Sequence, residues 1–153
     1  MAQKSDADLL ADLESPDEFV RAEAAGALTA RRHPRALEAS LRTLNDGSEP
    51  AHADLTPAVW SLAGLGLPAL KALLGSLADP DPMTRRRASR AVAEITKRHF
   101  GFDGRDWPRG AYEKWAAWWT TVAYEPDAAP QARDASIARL RAASEAWLAG
   151  REA

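Results

Sequence analysis

Leucines recur at helical spacing in the first third of the chain. Leu9, Leu10 and Leu13 share one face of a helix predicted over residues 5–14, and Leu37, Leu41 and Leu44 share one face over residues 36–44. Between these two the apolar positions turn small. From Asp17 to Ala30 the inward set is Val20, Ala24, Ala27 and Leu28. The same alternation returns further on, with a leucine-rich stretch from Leu67 to Leu77 and then a helix from Met83 to Arg98 whose inward side is Ala88, Ala91, Val92 and Ile95. A shorter helix between them has Thr56 as N-cap, Pro57 at its first position and a stop at Gly64 and Gly66. The punctuation is of one kind throughout: Ser15-Pro16-Asp17, Asn45-Asp46-Gly47 and Asp79-Pro80-Asp81 each separate a leucine helix from the helix after it.

These pairs are copies of one another. At an offset of 64 residues, and without a gap, Leu13 aligns with Leu77, Pro16 with Pro80, Asp17 with Asp81, Arg21 with Arg85, Ala24 with Ala88 and Ala27 with Ala91. Pro34 to Leu44 aligns with Leu67 to Leu77 at an offset of 33. Both offsets are multiples of a period of about 32 residues, the size of one helix pair in an α-solenoid. The expected architecture is all-α: three helix pairs over residues 5–99, then a segment of different composition over residues 100–149, all in a single domain spanning residues 1–153.

That last segment opens on the loop Phe100-Gly-Phe-Asp-Gly-Arg-Asp-Trp-Pro108. A helix predicted over residues 109–123 then places Tyr112, Trp115, Trp118, Trp119 and Val122 on one broad face. After the linker from Glu125 to Pro130, a last helix to Ala149 carries Ile137, Leu140, Trp147 and Leu148, with Gly150 as its stop. An open end of stacked helices must be closed by something large and apolar. Trp115, Trp118 and Trp119 are therefore read as the structural core of a tryptophan-rich C-terminal cap. Trp107, in the loop, is the first candidate among them for exposure, although stapling onto Ala111 is the plainer reading.

The succession of leucine-rich helix, Asp/Pro turn and Arg- and Ala-rich helix over residues 5–99 resembles bacterial HEAT-type repeats. The Phe-Gly-Phe-Asp loop leading to Trp-x-x-Trp-Trp resembles the segment that follows such repeats in many bacterial proteins. The resemblance implies an aspartate in the turn and an arginine six residues on, which Asp79 and Arg85 match, and a structural side-chain contact between them. Ser15 stands in the aspartate's place before Arg21, and the second repeat, with its longer loop over residues 46–55, has neither in register. Repeats of this kind serve many unrelated partners, so the resemblance implies a binding scaffold and names no ligand.

Charge narrows the choice only locally. Twenty-two acids against twenty Lys and Arg leave a net charge of −2 on 153 residues, which exerts no global pull on nucleic acid or anionic membranes. The absence of cysteine removes disulfides, thiolate nucleophiles and Cys-type zinc sites. The acidic start lacks the basic and apolar runs of a signal peptide, and no stretch reaches the ~20 apolar residues of a membrane span, so a cytoplasmic protein without membrane contact is expected.

The chain carries no glycine-rich phosphate loop, no nucleophile elbow and no histidine pair at metal-ligand spacing. His33, His52 and His99 fall in a linker, a loop and a helix end. Asp79 and Asp81 are accounted for by capping and by pairing with Arg85. No catalytic residue, cofactor or metal is therefore expected.

Six basic residues and one acid lie between Met83 and Arg98. With Ala88, Val92 and Ile95 inward, Arg86, Arg90 and Lys97 are expected opposite them, on the concave face that second helices form in such solenoids. Arg86, Arg87, Arg90, Lys97 and Trp107 are accordingly the candidate partner-binding residues. Asp79, Arg85, Trp115, Trp118 and Trp119 are the structural ones. Three readings of the stripe stand: a solvated face, a surface for an acidic protein, or a nucleic-acid site similar to that of HEAT-like DNA glycosylases. The favoured function is a non-catalytic protein-interaction module. The resemblance also leaves open the HEAT proteins that handle bilin chromophores. The N-terminal twenty residues, with six acids and one lysine, admit head-to-tail association as well as ordinary helix N-terminal acid bias.

Overall fold

The structure, a computed structural model, describes residues 3–122, 125 and 127–152, with the side chains of 148 and 150–152 outside the description. Among the described residues it is all-helical: α1 (Asp6–Asp12), α2 (Glu18–Ala30), α3 (Ala36–Arg42), α4 (Pro57–Leu65), α5 (Leu67–Leu73) running on as a 3-10 turn (Leu74–Ala78), α6 (Pro82–His99), α7 (Ala111–Val122) and α8 (Pro130–Glu152).

The starts follow from the caps. Ser5 and Asp8 form a reciprocal capping box on α1, and the carboxylates of Asp17 and Asp81 accept from the N–H groups of Phe19 and Met83 at 2.9 and 3.0 Å. Thr56 sits at the N-cap of α4 without capping it, because its buried hydroxyl donates instead to the Leu44 carbonyl at 2.7 Å. Pro57, whose missing N–H costs nothing at a helix start, begins that helix.

Two expected stops lie elsewhere. Gly64 is inside α4, which ends at Leu65, and Gly66 makes the break with φ 76° and ψ −144°, a conformation closed to residues with a Cβ. The last helix runs through Gly150 to Glu152. Ala123, expected at the end of α7, Pro126 in the linker and the Leu148 side chain lie outside the described residues.

Each of α2 to α6 packs on the helix before it, and α4 also packs on both α2 and α6. α7 lies on α6, while α8 returns to α5 and the 3-10 turn. Leu44, Val59, Leu62, Leu70, Leu73, Leu77, Ala88, Ala91, Val92 and Ile95 form one core with Val122, Ile137 and Leu140 of the last two helices. A smaller cluster of Leu9, Leu13, Ala24, Ala25, Leu28 and Ala39 holds the first pair.

The turn chemistry corrects one expectation. The Arg85 guanidinium donates to the main-chain carbonyls of Asp79 and Pro80 at 2.8 and 3.0 Å, while the Asp79 carboxylate accepts from the N–H of Asp81 at 2.9 Å. In the turn between α1 and α2 Arg21 donates to the Ser15 carbonyl at 2.8 Å, and the Ser15 hydroxyl accepts from the N–H of Asp17 at 3.1 Å. The two turns are chemically the same, since serine and aspartate both supply the oxygen that tightens the turn and both offer the carbonyl that the arginine grips. At the corresponding position of α4, four residues after the N-cap, stands Trp60, 46% exposed.

The loop between α3 and α4 has no turn arginine from α4, and it is held by the helices on either side. Arg21 grips the Asp46 carboxylate through Nε and Nη2 at 2.9 and 3.0 Å, and the Gly47 N–H donates to Glu18 at 3.0 Å. From the other side Arg87 donates to the Ala53 carbonyl and to Asn45 Oδ1 at 2.9 and 2.8 Å, and Asn45 donates to Thr84 at 2.9 Å.

The cap is a continuous aromatic layer. Trp115 is buried and donates from Nε1 to the Thr96 hydroxyl at 2.9 Å. Trp119 stacks on Trp115 with ring centres 5.9 Å apart, and Trp118 lies between Phe100 and Trp147 at 6.0 and 5.3 Å. Trp147 meets His99 edge-on at 3.5 Å. Trp118 and Trp119 are half-buried, and Tyr112, expected inward, is 51% exposed at the edge of Trp107.

Candidate interaction groove

Helix α6 is amphipathic in an unusual sense: its outward side is charged, and nearly every charge is already matched. Glu94, the one acid on the helix, has a side chain only 3% exposed. Its Oε1 accepts from Arg90 Nε at 3.2 Å and Lys97 Nζ at 3.0 Å, and its Oε2 from Arg98 Nη1 at 3.2 Å. Burial alone pushes the Glu94 carboxyl up, but Lys97, Arg98 and Arg90 outweigh it and hold the group below its ordinary range. Lys97 also lies over the Trp115 ring at 5.0 Å, and Arg98 over Phe102 at 5.9 Å.

Arg86 and Arg90, one helical turn apart, reach away from this cluster to two other segments. Arg86 makes a two-pronged bond to Asp127 at 3.3 and 2.9 Å, which keeps its guanidinium firmly protonated, and Arg90 Nη1 meets Asp54 at 3.5 Å. Between them lies an open groove of about 470 Å³. Met83, Ala93 and Trp119 supply its apolar lining, with Ser89 on the helix wall.

Two of the sequence candidates leave the stripe. Arg87 is buried at 7% exposure and committed to Ala53 and Asn45, which makes it an anchor of the loop between α3 and α4 and removes it from any partner surface. Its place was legible in principle: Arg87, Ala91 and Glu94 follow one another at helical spacing, so both charges ride the stripe of a buried alanine. Trp107 is half-buried, stacked on Phe102 at 4.8 Å and 5.9 Å from Trp115, and belongs to the aromatic layer. Lys97 faces Glu94 and Trp115. Arg86 and Arg90 line the groove, joined by Asp54, Asp127 and Met83, which no local pattern marked, and by Trp119, which periodicity assigned to the apolar core.

Among the described residues no three His, Asp or Glu side chains come together as metal ligands, and no helix is long and apolar enough to cross a membrane. The N-terminal acids are largely engaged, Asp8 and Asp17 as caps, Asp12 with Lys4, Asp6 with Arg31 and Glu14 with Arg42. Set against known proteins, the chain matches no family model, no curated protein and no solved structure.

Proposed function

We propose that the chain is a non-catalytic protein-interaction module: a short α-solenoid of three HEAT-like pairs, closed by the tryptophan-rich cap, that receives a segment of a partner protein in the α6 groove on its concave side. The identical turn bonds of Arg21 and Arg85, and the packing of α4 between α2 and α6, support the repeat reading. The observation that carries the functional reading is the groove itself. It joins an apolar floor of Met83, Ala93 and Trp119 to two arginines that remain 49% and 36% exposed, the combination of anchor and polar rim that protein interfaces use. The nucleic-acid reading has less to work with, since of the α6 cations only Arg86 and Arg90 line the groove, enough for only a few phosphates.

The test is to fill the groove. Ser89→Trp places a large side chain on the wall without touching the core. Tagged wild type and variant, matched for melting temperature, are compared for the partners they retain. Loss of a reproducible protein partner in the variant is expected. Unchanged capture, or tight salt-sensitive binding of a labelled DNA duplex by wild type that Arg86→Glu with Arg90→Glu abolishes, overturns the reading.

A further inference from the structure

We propose that the segment received by the groove is acidic, and that its carboxylates displace Asp127 and Asp54 from Arg86 and Arg90, two aspartates that act as the protein's own stand-ins for the ligand. This rests on the interface reading above and adds the ligand's chemistry to it.

The argument turns on which partner of each ion pair is fixed. Arg90 is tied at Nε to Glu94, a nearly buried acceptor on the same helix, so its outer Nη1 is held facing the groove. Asp54, which meets that nitrogen at 3.5 Å, belongs to the loop before α4, and its side chain is 46% exposed. Arg86 projects from a regular turn of α6, while Asp127 belongs to the segment leading into α8 and is 57% exposed. In both pairs the arginine sits on a rigid helix and the carboxylate on a connection. Exchange therefore replaces the aspartate, and the incoming group carries negative charge.

Energetics permit the exchange. Exposed ion pairs of this kind contribute little to stability, and a displaced aspartate at this exposure turns to water without leaving a buried charge. A cationic segment has no such route. It would have to draw Asp54 and Asp127 away from arginines that stand on the same helix as Lys97 and Arg98. The planar guanidinium of Arg86, which already holds Asp127 by two bonds, is shaped for any carboxylate. Met83, a turn before Arg86, and Ala93, a turn after Arg90, line the same groove together with Trp119, so the favoured segment combines two carboxylates with large apolar residues.

Three fluorescein-labelled peptides with a Leu-Leu centre flanked by Glu, Gln or Lys are titrated by anisotropy against wild type, Asp54→Asn with Asp127→Asn, Arg86→Gln with Arg90→Gln, and Ser89→Trp, each first shown to melt cooperatively. The Glu peptide is expected to bind wild type about tenfold more tightly than the Gln peptide. It should tighten several-fold further on the double Asn protein, lose its advantage on the double Gln protein, and weaken as salt rises. Preference for the Lys peptide, weaker Glu binding by the double Asn protein, or no binding of any peptide by either protein overturns the acidic ligand. Equal binding of Glu and Gln peptides that Ser89→Trp abolishes overturns it too, while leaving the groove as an interface. Peptide binding that Ser89→Trp does not disturb removes the groove itself.

Discussion

Replacing Glu94 with glutamine keeps the shape of the side chain and deletes the charge on which Arg90, Lys97 and Arg98 converge. In a fully buried cluster, losing one partner costs about 3–5 kcal/mol, because the others are left charged and dry. Here the three cations keep 36%, 23% and 29% of their side-chain surface in water and rehydrate in part. Glutamine also still offers one acceptor oxygen. The expected loss is about 2 kcal/mol, near that of a single charge-assisted hydrogen bond, or about 4–8 °C in melting temperature for a chain of this size.

The pH dependence separates charge from packing. Because the folded-state pKa of Glu94 is depressed, its contribution is complete above the unfolded value of about 4.3 and disappears as pH falls through the lower folded value. Urea melts of wild type and Glu94→Gln should differ by the full amount at pH 7 and converge as pH falls below 4. A gap as large at pH 3 as at pH 7 would refute the electrostatic account, and no gap at pH 7 would make the cluster a surface ornament.

Other positions make separate claims. Gly26 lies inside α2 with nothing within 4 Å of where a Cβ would sit, so Gly26→Ala should raise stability by about 0.5–1 kcal/mol in a thermal melt. Ser15→Ala and Asp79→Ala should each cost about 1 kcal/mol through loss of the turn bond, measured by denaturant unfolding. Because the arginines grip carbonyls, Arg21→Ala and Arg85→Ala should remain damaging in those backgrounds. Trp115→Ala should cost about 3–5 kcal/mol, and Trp118→Ala and Trp119→Ala less, in step with their partial burial. Equal effects would show the cap packed more evenly than its exposures indicate.

The helices were legible because leucine spacing and Asp/Pro turns act locally, and α6 buries Ala88, Ala91, Val92 and Ile95 as their periodicity requires. The Asp79–Arg85 spacing was legible as a unit, but not its chemistry: spacing reports that two residues meet at a turn, and not whether the side chain or the carbonyl of the first is the acceptor. The basic stripe misled for a related reason. Counting charges along α6 shows its excess and the one acid, Glu94, that shares the helix, whereas the other two acids that meet the stripe, Asp54 and Asp127, come from segments 36 and 41 positions away. Periodicity fixes the angle of a residue around its own axis and is silent on what the rest of the chain brings to that angle.

The loop between α3 and α4, gripped by Arg21 and Glu18 of α2 from one side and by Arg87 and Thr84 of α6 from the other, bears on how the molecule comes apart. In a stack where each unit carried its own turn arginine, units could fray one by one from the ends. Here the loop takes its closure from the helices on both sides, and opening either α2 or α6 unties it. Amides of α2, α3, α4 and α6 should therefore exchange with solvent at a common free energy, as one cooperative block, whereas α1, held by the smaller cluster and by surface ion pairs, opens below it.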